Sequence, residues 1–417
     1  SRYSYSTSTK FYQQAEKNGT PWITRLPFPV HVVEKTEAID LVDNVRFITQ
    51  YAYHHGYYDG EEREFRGFGM VEQWDSESYD EHLKLNENSV EEELFVSPVY
   101  TKSWFHTGFF LDKEKILGQY ANEYYQGDQQ TWSLSQPVIP MNFEASEVRE
   151  AVRAFKGSVL RQEIYTKDGT EKEKHPYTVV TTNYEVRRLQ PKEKNKYSVF
   201  HLIPFETLTY HYERNADDPR IGHQLNLERD EFGHVTQSIA ISYPRRKPEF
   251  DEQSSLLAIL KNEKVVNVID QQDWYRLGVP YQSEEWEVSG FSFSGKLLDV
   301  TTIKTLLAKA ITIFYENKPT SGVATKREVS EQCVYFYNET LNDRLPFGEL
   351  SFHALPYDTY HKSLTPSLIE KIYGSRLNES LLKETGYVFD EGSWWLPSGK
   401  VIFDAVNFYQ PTESIDP

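Results

Sequence analysis

His54 and His55 stand side by side, with Asp59, Glu61 and Glu62 just beyond them, a group of imidazoles and carboxylates able in principle to ligate a metal or relay protons. Neighbouring residues of a strand point to opposite faces, so the two rings would not easily share a ligand, and a half-buried strand end before a turn explains them. A zinc hydrolase needs His-Glu-x-x-His, which is missing, and Cys333 is the sole cysteine, so neither Cys-x-x-Cys nor an intrachain disulfide exists. Phosphate-cradling glycine loops are missing as well, since Gly67-Phe68-Gly69 lacks a third glycine. Gly290-Phe291-Ser292-Phe293-Ser294-Gly295 holds one residue too many for a serine-hydrolase elbow and reads as a turn. Asp217-Asp218 and Glu284-Glu285 have the residue types of a glycosidase acid and base, yet with 63 acidic residues such pairs arise anyway. Trp394-Trp395, Tyr124-Tyr125 and Tyr335-Phe336-Tyr337 would suit sugar stacking if exposed, and cross-strand packing if not. No catalytic, cofactor-binding or metal-binding residue is nominated, and no enzyme is expected.

The elements around these residues read as mostly antiparallel β. Period-two runs occur at Phe28/Val30/Val32, Val45/Phe47/Tyr51/Tyr53, Leu208/Tyr210/Tyr212 and Val235/Ile239/Ile241/Tyr243, each placing one face in a core. Asp59-Gly60, Asp168-Gly169 and Ser398-Gly399 supply residues that tolerate the positive φ of tight hairpins. Helical spacing is sparser: Ile116/Tyr120/Tyr124 after an Asp112 cap, Val148/Ala151/Val152/Phe155 ending at Gly157, and Ile303/Leu306/Leu307/Ala310 after Asp299. Thr365-Pro366 starts a helix that Gly374 stops, and Asn378 caps another closed by Gly386, which predicts a helical hairpin over 366–385. Short helices thus decorate sheets.

At 417 residues the chain is long enough for more than one packing unit and a large core. Tyr and Phe, 29 and 24 of them, replace aliphatic volume and favour strands. The net charge of −18 repels phosphate backbones and anionic lipid, so neither nucleic acid nor direct membrane insertion is expected. No run approaches the length of a bilayer span, the start at Ser1-Arg2-Tyr3 is too polar for a signal peptide, and the missing initiator Met implies a piece of something longer. Breaks are expected in the charged stretches 76–93, 244–254 and 316–328, with Glu91-Glu92-Glu93 as a solvated loop and Lys192-Glu193-Lys194-Asn195-Lys196 as a hairpin tip. The expected divisions are 1–80, 94–247 and 255–417. Tyr57-Tyr58-Asp59-Gly60, Tyr165 through Asp168-Gly169, and Asp230-Glu231-Phe232-Gly233 share an aromatic-Asp-Gly flavour at irregular spacing, which ordinary hairpins explain as well as a β-array does.

The string from Tyr51-Ala52-Tyr53-His54-His55-Gly56-Tyr57-Tyr58-Asp59-Gly60 through Arg66-Gly67-Phe68-Gly69-Met70 to Trp74-Asp75 is long and unusual. Pro21-Trp22-Ile23-Thr24-Arg25-Leu26-Pro27-Phe28-Pro29 precedes it. Thr101-Lys102-Ser103-Trp104-Phe105-His106-Thr107-Gly108, Pro219-Arg220-Ile221-Gly222-His223, Asp230-Glu231-Phe232-Gly233-His234 and Gly392-Ser393-Trp394-Trp395 follow in order. Together they resemble the middle domains of the B component of bacterial insecticidal toxin complexes, the Tc toxins of the SpvB/TcB type, along nearly the whole chain.

That resemblance implies a mainly β fold built from long antiparallel strands of an RHS/YD-repeat-like wound shell with a few short decorating helices. It places the end of the middle/N-terminal toxin domain in 1–80, the middle/C-terminal domain in 94–247 and an RHS-like region in 255–417. It implies a secreted toxin assembled in the bacterial cytoplasm. The implied partners are the C component, which completes the shell and carries the effector, the enclosed effector polypeptide, and the A component reached through a β-propeller; neither propeller nor toxic enzyme lies in this sequence. The usual repeat reads Tyr-Asp-x-x-Gly, and only Asp230 to Gly233 keeps its Asp-to-Gly spacing. Structural roles are expected for Tyr58, Asp59, Gly60, Arg66, Gly67, Phe68, Gly69, Trp74, Trp104, Asp230 and Gly233. The rival expectations from other classes are a carbohydrate-binding or carbohydrate-cleaving β-protein and a host-surface adhesion module.

Overall fold

Alternating burial gives the strands their direction. Leu208, Tyr210 and Tyr212 are all buried, as are Ile239, Ile241 and Tyr243, while the residues between them are exposed or half-exposed. The computed structural model describes residues 1–42, 45–75, 97–135, 137, 139, 143–320 and 322–416. The acidic stretch 76–93, with Glu91-Glu92-Glu93, lies outside the described residues. The chain forms two compact units, Ser1–His223 with Tyr243–Ser254, and Gln224–Ser242 with Ser255–Pro417.

In the first unit the strands are β1 (Arg2–Thr7), β2 (His31–Asp40), β3 (Val45–Asp59), β4 (Glu64–Asp75), β5 (Val99–His106), β6 (Ser158–Thr166), β7 (Thr178–Gln190) and β8 (Val199–His211). Each pairs antiparallel with the next, a meander in which every connection joins spatial neighbours. Strand β9 (Arg220–Arg229) begins in this unit and continues in the second. The helix Lys113–Glu123 carries Ile116 and Tyr120 into a core with Met70, Trp104, Phe109 and Leu160. A further helix, Ala145–Arg153, packs Ala151 beside Phe155 and Val186.

The second unit continues with β10 (Val235–Ser242), β11 (Leu257–Val268), β12 (Arg276–Ser289), β13 (Ile311–Ile313), β14 (Thr325–Phe336), β15 (Pro356–Leu364), β16 (Val388–Asp390), β17 (Ser393–Asp404) and β18 (Gln410–Ile415). The pairing runs β10–β11–β12–β14–β15–β17–β18 antiparallel, and among the described residues only the three-residue β13 lies parallel, against the start of β14. Asp299 caps the helix Val300–Lys309 by accepting from Thr302 N at 2.8 Å. Thr365 and Asn378 cap Pro366–Ile372 and Glu379–Glu384, the helical pair expected over 366–385.

Several local readings need correction. Phe28 and Val30 precede β2 instead of forming a strand, and Phe28 is exposed. In β3 the core-facing residue is Ile48 while Phe47 is 64% exposed, because side-chain parity alone cannot say which face is covered. Asp112 precedes its helix in left-handed backbone and makes no side-chain cap. In the Asp59-Gly60 turn the positive φ, 54°, falls on Arg63 and not on the glycine. Ser398-Gly399 is no hairpin turn; it lies within β17, where Gly399 at φ 89° coincides with a register shift against β15. The charged stretch 316–328 is a connection only as far as β14, which begins at Thr325. The helix Ser8–Lys17 was not expected, although Phe11 and Ala15 lie one turn apart on its buried face.

Candidate functional site

The long β3–β4 hairpin, β5 and the two helices that cross them build a buried polar cluster in the first unit. Arg66 lies on β4 with a side chain only 1% exposed, so its guanidinium charge must find a partner inside the protein. Its Nη2 sits 3.0 Å from Asp59 Oδ2, its Nη1 donates to Gly108 O at 2.7 Å, and its Nε lies 3.3 Å from Glu64 Oε2. Asp59 closes the hairpin from the other side: Oδ1 accepts from Glu61 N and Glu62 N, each at 3.0 Å, and from Arg149 Nη2 at 3.0 Å. The carboxylate therefore ties a turn, a strand arginine and the helix Ala145–Arg153 together. Glu64 is held below the usual carboxylate range, chiefly by a hydrogen bond from Lys156.

Glycine spacing on β4 has two separate causes. Gly67 is at φ 98° with open space around its Cα, so it serves backbone conformation. Gly69 is the opposite case: a Cβ there would come 1.9 Å from Tyr120 Oη, so it serves close approach. Phe68 packs edge-on against Trp22 and Phe65 and tilted against Tyr53, and Trp74 stacks on its cross-strand partner Tyr100 at 5.1 Å. Tyr58 meets Phe28 edge to face at 5.2 Å.

Trp104 is fully buried on β5, and its Nε1 donates to Glu123 Oε2 at 3.0 Å. Glu123 Oε1 also takes Gln119 Nε2 at 2.8 Å and His55 Nε2 at 2.9 Å. Because Ile23 N donates to His55 Nδ1, the proton of a neutral His55 resides on Nε2 and points at the carboxylate. Burial pushes the Glu123 carboxyl up, but these hydrogen bonds outweigh it and hold the group ionised. His54 turns to a different carboxylate, Glu72, at 2.8 Å, and Tyr100 also donates to Glu72. The two imidazoles thus have separate partners, and no group of three His, Cys, Asp or Glu arranged for a metal occurs among the described residues. His106 accepts from Gly108 N at 2.9 Å and stacks on Phe109 at 4.1 Å; burial, aided by Lys113, drops its pKa to about 3 and keeps it neutral.

Asp230 and Gly233 lie apart from this cluster, in the second unit. There Asp230 Oδ1 accepts from Phe232 N and His234 N, and Oδ2 faces His234 Nδ1 and Asn267 Nδ2, both at 2.8 Å, while Gly233 turns the chain at φ 96°. Tyr58, Asp59, Arg66, Phe68, Gly69 and Trp104 share the first neighbourhood, whereas Gly60 makes only the exposed turn and Trp74 lies further along β4. Arg149 and Glu123 were missed, and the partners of His55, Gly108 and Tyr120 were not foreseen, because in most cases the partner is 40 or more residues away in the chain and local spacing carries no trace of it. The aromatic runs weighed as sugar platforms are largely covered: Trp394, Trp395, Phe336 and Tyr337 are buried, and Phe389 and Tyr357 pack against two of them. The charged groups at the first site, Asp59, Arg66, Arg149 and Glu123, all meet internal partners, which is the arrangement of a joint between elements.

Comparison with known proteins places this joint. The family described as the insecticide toxin TcdB middle/N-terminal region matches residues 2–108, and the TcdB middle/C-terminal region matches 150–291. The chain belongs to the TcdB insecticide toxin family. No curated protein sequence matches it. Solved structures do: the TcdB2–TccC3–Cdc42 crystal structure has a TM-score of 0.73 at 24% identity, covering 99% of this chain and 20% of that one. TcdB2–TccC3 without its hypervariable C-terminal region gives 0.73 at 24% identity with the same coverage, 99% and 20%. The Photorhabdus luminescens Tc holotoxin pore gives 0.71 at 23% identity, again over 99% of this chain and 20% of that one. At such identity the likeness is one of fold, a β-rich fold shared over the whole TcdB-type segment. This segment spans about one fifth of the matched chains, 20% in each of these three structures.

Proposed function

We propose that the chain is a non-catalytic structural segment of a Tc toxin B component, one that helps the C component form a hollow shell enclosing a toxic effector before delivery through the A component. The observation that carries this reading is the fold match, over 99% of the chain, to the TcdB2–TccC3–Cdc42 structure. The ion-pair and aromatic clusters support it, since they fasten the long β3–β4 hairpin to neighbouring strands and helices. In this reading Tyr58, Asp59, Gly60, Arg66, Gly67, Phe68, Gly69, Trp74, Trp104, Asp230 and Gly233 act in packing and turns. Residues 1–80 close the middle/N-terminal domain, 94–247 form the middle/C-terminal domain, and 255–417 open an RHS-like region; the family matches, over 2–108 and 150–291, support the order of the first two with limits further along the chain. The parent is a secreted toxin assembled in the bacterial cytoplasm. Its acidic and aromatic wall residues face a non-native effector chain without giving it a core to fold on. Co-expressing the full-length parent with its C component and imaging the complex by electron microscopy tests this. A closed hollow particle with this segment in its wall is expected; a compact domain that ignores the C component would reject the proposal.

A further inference from the structure

One edge of β14 is occupied by β12 along residues 325–333. The other edge carries β13 only at residues 325–327 and β15 only from residue 332, so among the described residues no strand pairs with residues 328–331 there. This gap opens into a cleft of about 810 Å³ flanked by Phe314 and Tyr315, which are 62% and 50% exposed, and by Leu364. An unpaired stretch of strand beside exposed aromatic residues is the geometry that accepts an extended peptide. Glu331 and Glu391 border both this cleft and a narrower cavity of about 120 Å³.

The narrow cavity is lined by aromatic rings and carboxylates, with Arg344 among them. Tyr335, Tyr360, Phe347 and Trp395 supply aromatic faces, with Tyr335 and Tyr360 edge to face at 5.7 Å. Arg344 already lies over Tyr335 at 4.4 Å from the ring centre, so these faces attract positive charge. Asp390 and Glu391 at the mouth have no cationic partner within ion-pair distance among the described residues, whereas Glu331 is neutralised by Lys362 at 3.0 Å. Gln282 Nε2 donates to Glu331 at 2.6 Å, but its buried Oε1 receives no donor. A buried acceptor without a donor is a standing free-energy penalty that an N–H from a ligand would remove.

We propose that the second unit binds an extended polypeptide segment along β14 and seats one of its lysine side chains in this aromatic and acidic cavity. The inference does not depend on the shell reading, because it concerns only this unit's own surface. The test uses the whole chain and two fluorescein-labelled, end-blocked peptides, Thr-Val-Thr-Lys-Thr-Val-Thr and the same sequence with norleucine for lysine, read by fluorescence anisotropy. Saturable binding of the lysine peptide, at least ~10-fold tighter than norleucine, is expected from a seated ammonium. The double variant Asp390→Asn, Glu391→Gln, at exposed positions, should lower the lysine peptide to the norleucine level with an unchanged melting temperature. Equal affinity for the two peptides, or no saturable binding by the unaltered chain, would overturn the proposal.

Discussion

Two hairpins of this molecule close on an aspartate in the same way and are held in opposite ways. At β3–β4, Asp59 accepts the turn amides of Glu61 and Glu62 and then meets two arginines, one of them almost wholly buried. After β9, Asp230 accepts the amides of Phe232 and His234 and then meets only a half-exposed imidazole and an amide. The turn chemistry is the same and is local. What differs is reach: Asp59 connects to a helix 90 residues on, whereas the furthest partner of Asp230 is 37 residues away. A short motif thus fixes a turn, and burial decides whether that turn also becomes a joint between elements.

The comparison breaks most sharply at Arg66. Replacing it with alanine removes one side of a buried pair, leaves Gly108 O without its donor and strands part of the charge on Asp59. A loss of about 3 kcal/mol is expected, because an uncompensated buried charge is costlier than a lost surface contact. Urea denaturation gives the total, and hydrogen exchange resolved by peptide assigns it to the first unit. Asp230→Ala should lose only about 1 kcal/mol, the value of ordinary hydrogen bonds at a partly exposed turn. Equal losses at the two sites would contradict the distinction between joint and turn.

The glycines of β4 sharpen it further. Gly69→Ala drives a methyl group into Tyr120, which lies on the helix Lys113–Glu123, and should lose about 1–3 kcal/mol by overpacking. Gly67→Ala meets open space and should lose about 1 kcal/mol from its positive φ alone. The bulkier Gly67→Val should reduce soluble expression for the same backbone reason. Thermal unfolding of the two alanine variants side by side checks the order; a larger shift for Gly67 would mean that strain and not fit governs this strand.

Legibility followed the range of the interaction. The caps at Asp299, Thr365 and Asn378 were visible because a cap and its amide are three residues apart, and the Leu208/Tyr210/Tyr212 face was visible because it repeats every two. The polarity of β3 was not, since Phe47 and Ile48 are equally apolar and only the packed layer selects Ile48. Ser398-Gly399 misled because the positive φ of a bulge and that of a turn ask for the same residue. Of the first site, Asp59, Arg66 and Trp104 were singled out as structural residues, without their partners. The Glu123 hub that collects Trp104, Gln119 and His55 was not, as it is assembled from three elements far apart in sequence.

The most diagnostic contrast is a difference in acid sensitivity between the two regions. His106 has a folded pKa of about 3 against an ordinary value of about 6.5, so the unfolded chain binds the extra proton first. Its region should therefore lose stability progressively as pH falls from about 6.5 toward about 3. For Asp230 burial acts to raise the pKa, but the hydrogen bonds from His234 and Asn267 outweigh it and hold the group below its ordinary value of about 3.9. A depressed carboxyl contributes its stability above that value and loses it only as pH falls further, so the Asp230 hairpin should remain protected at pH 5. Hydrogen exchange corrected for intrinsic rates at pH 7 and pH 5 should show weakened protection around His106 and no change at the Asp230 turn. Replacing His106 with asparagine, whose carbonyl can accept from Gly108 N, should flatten the slope in the first region alone. An unaltered slope would place the acid-sensitive group elsewhere and remove this contrast between the two regions.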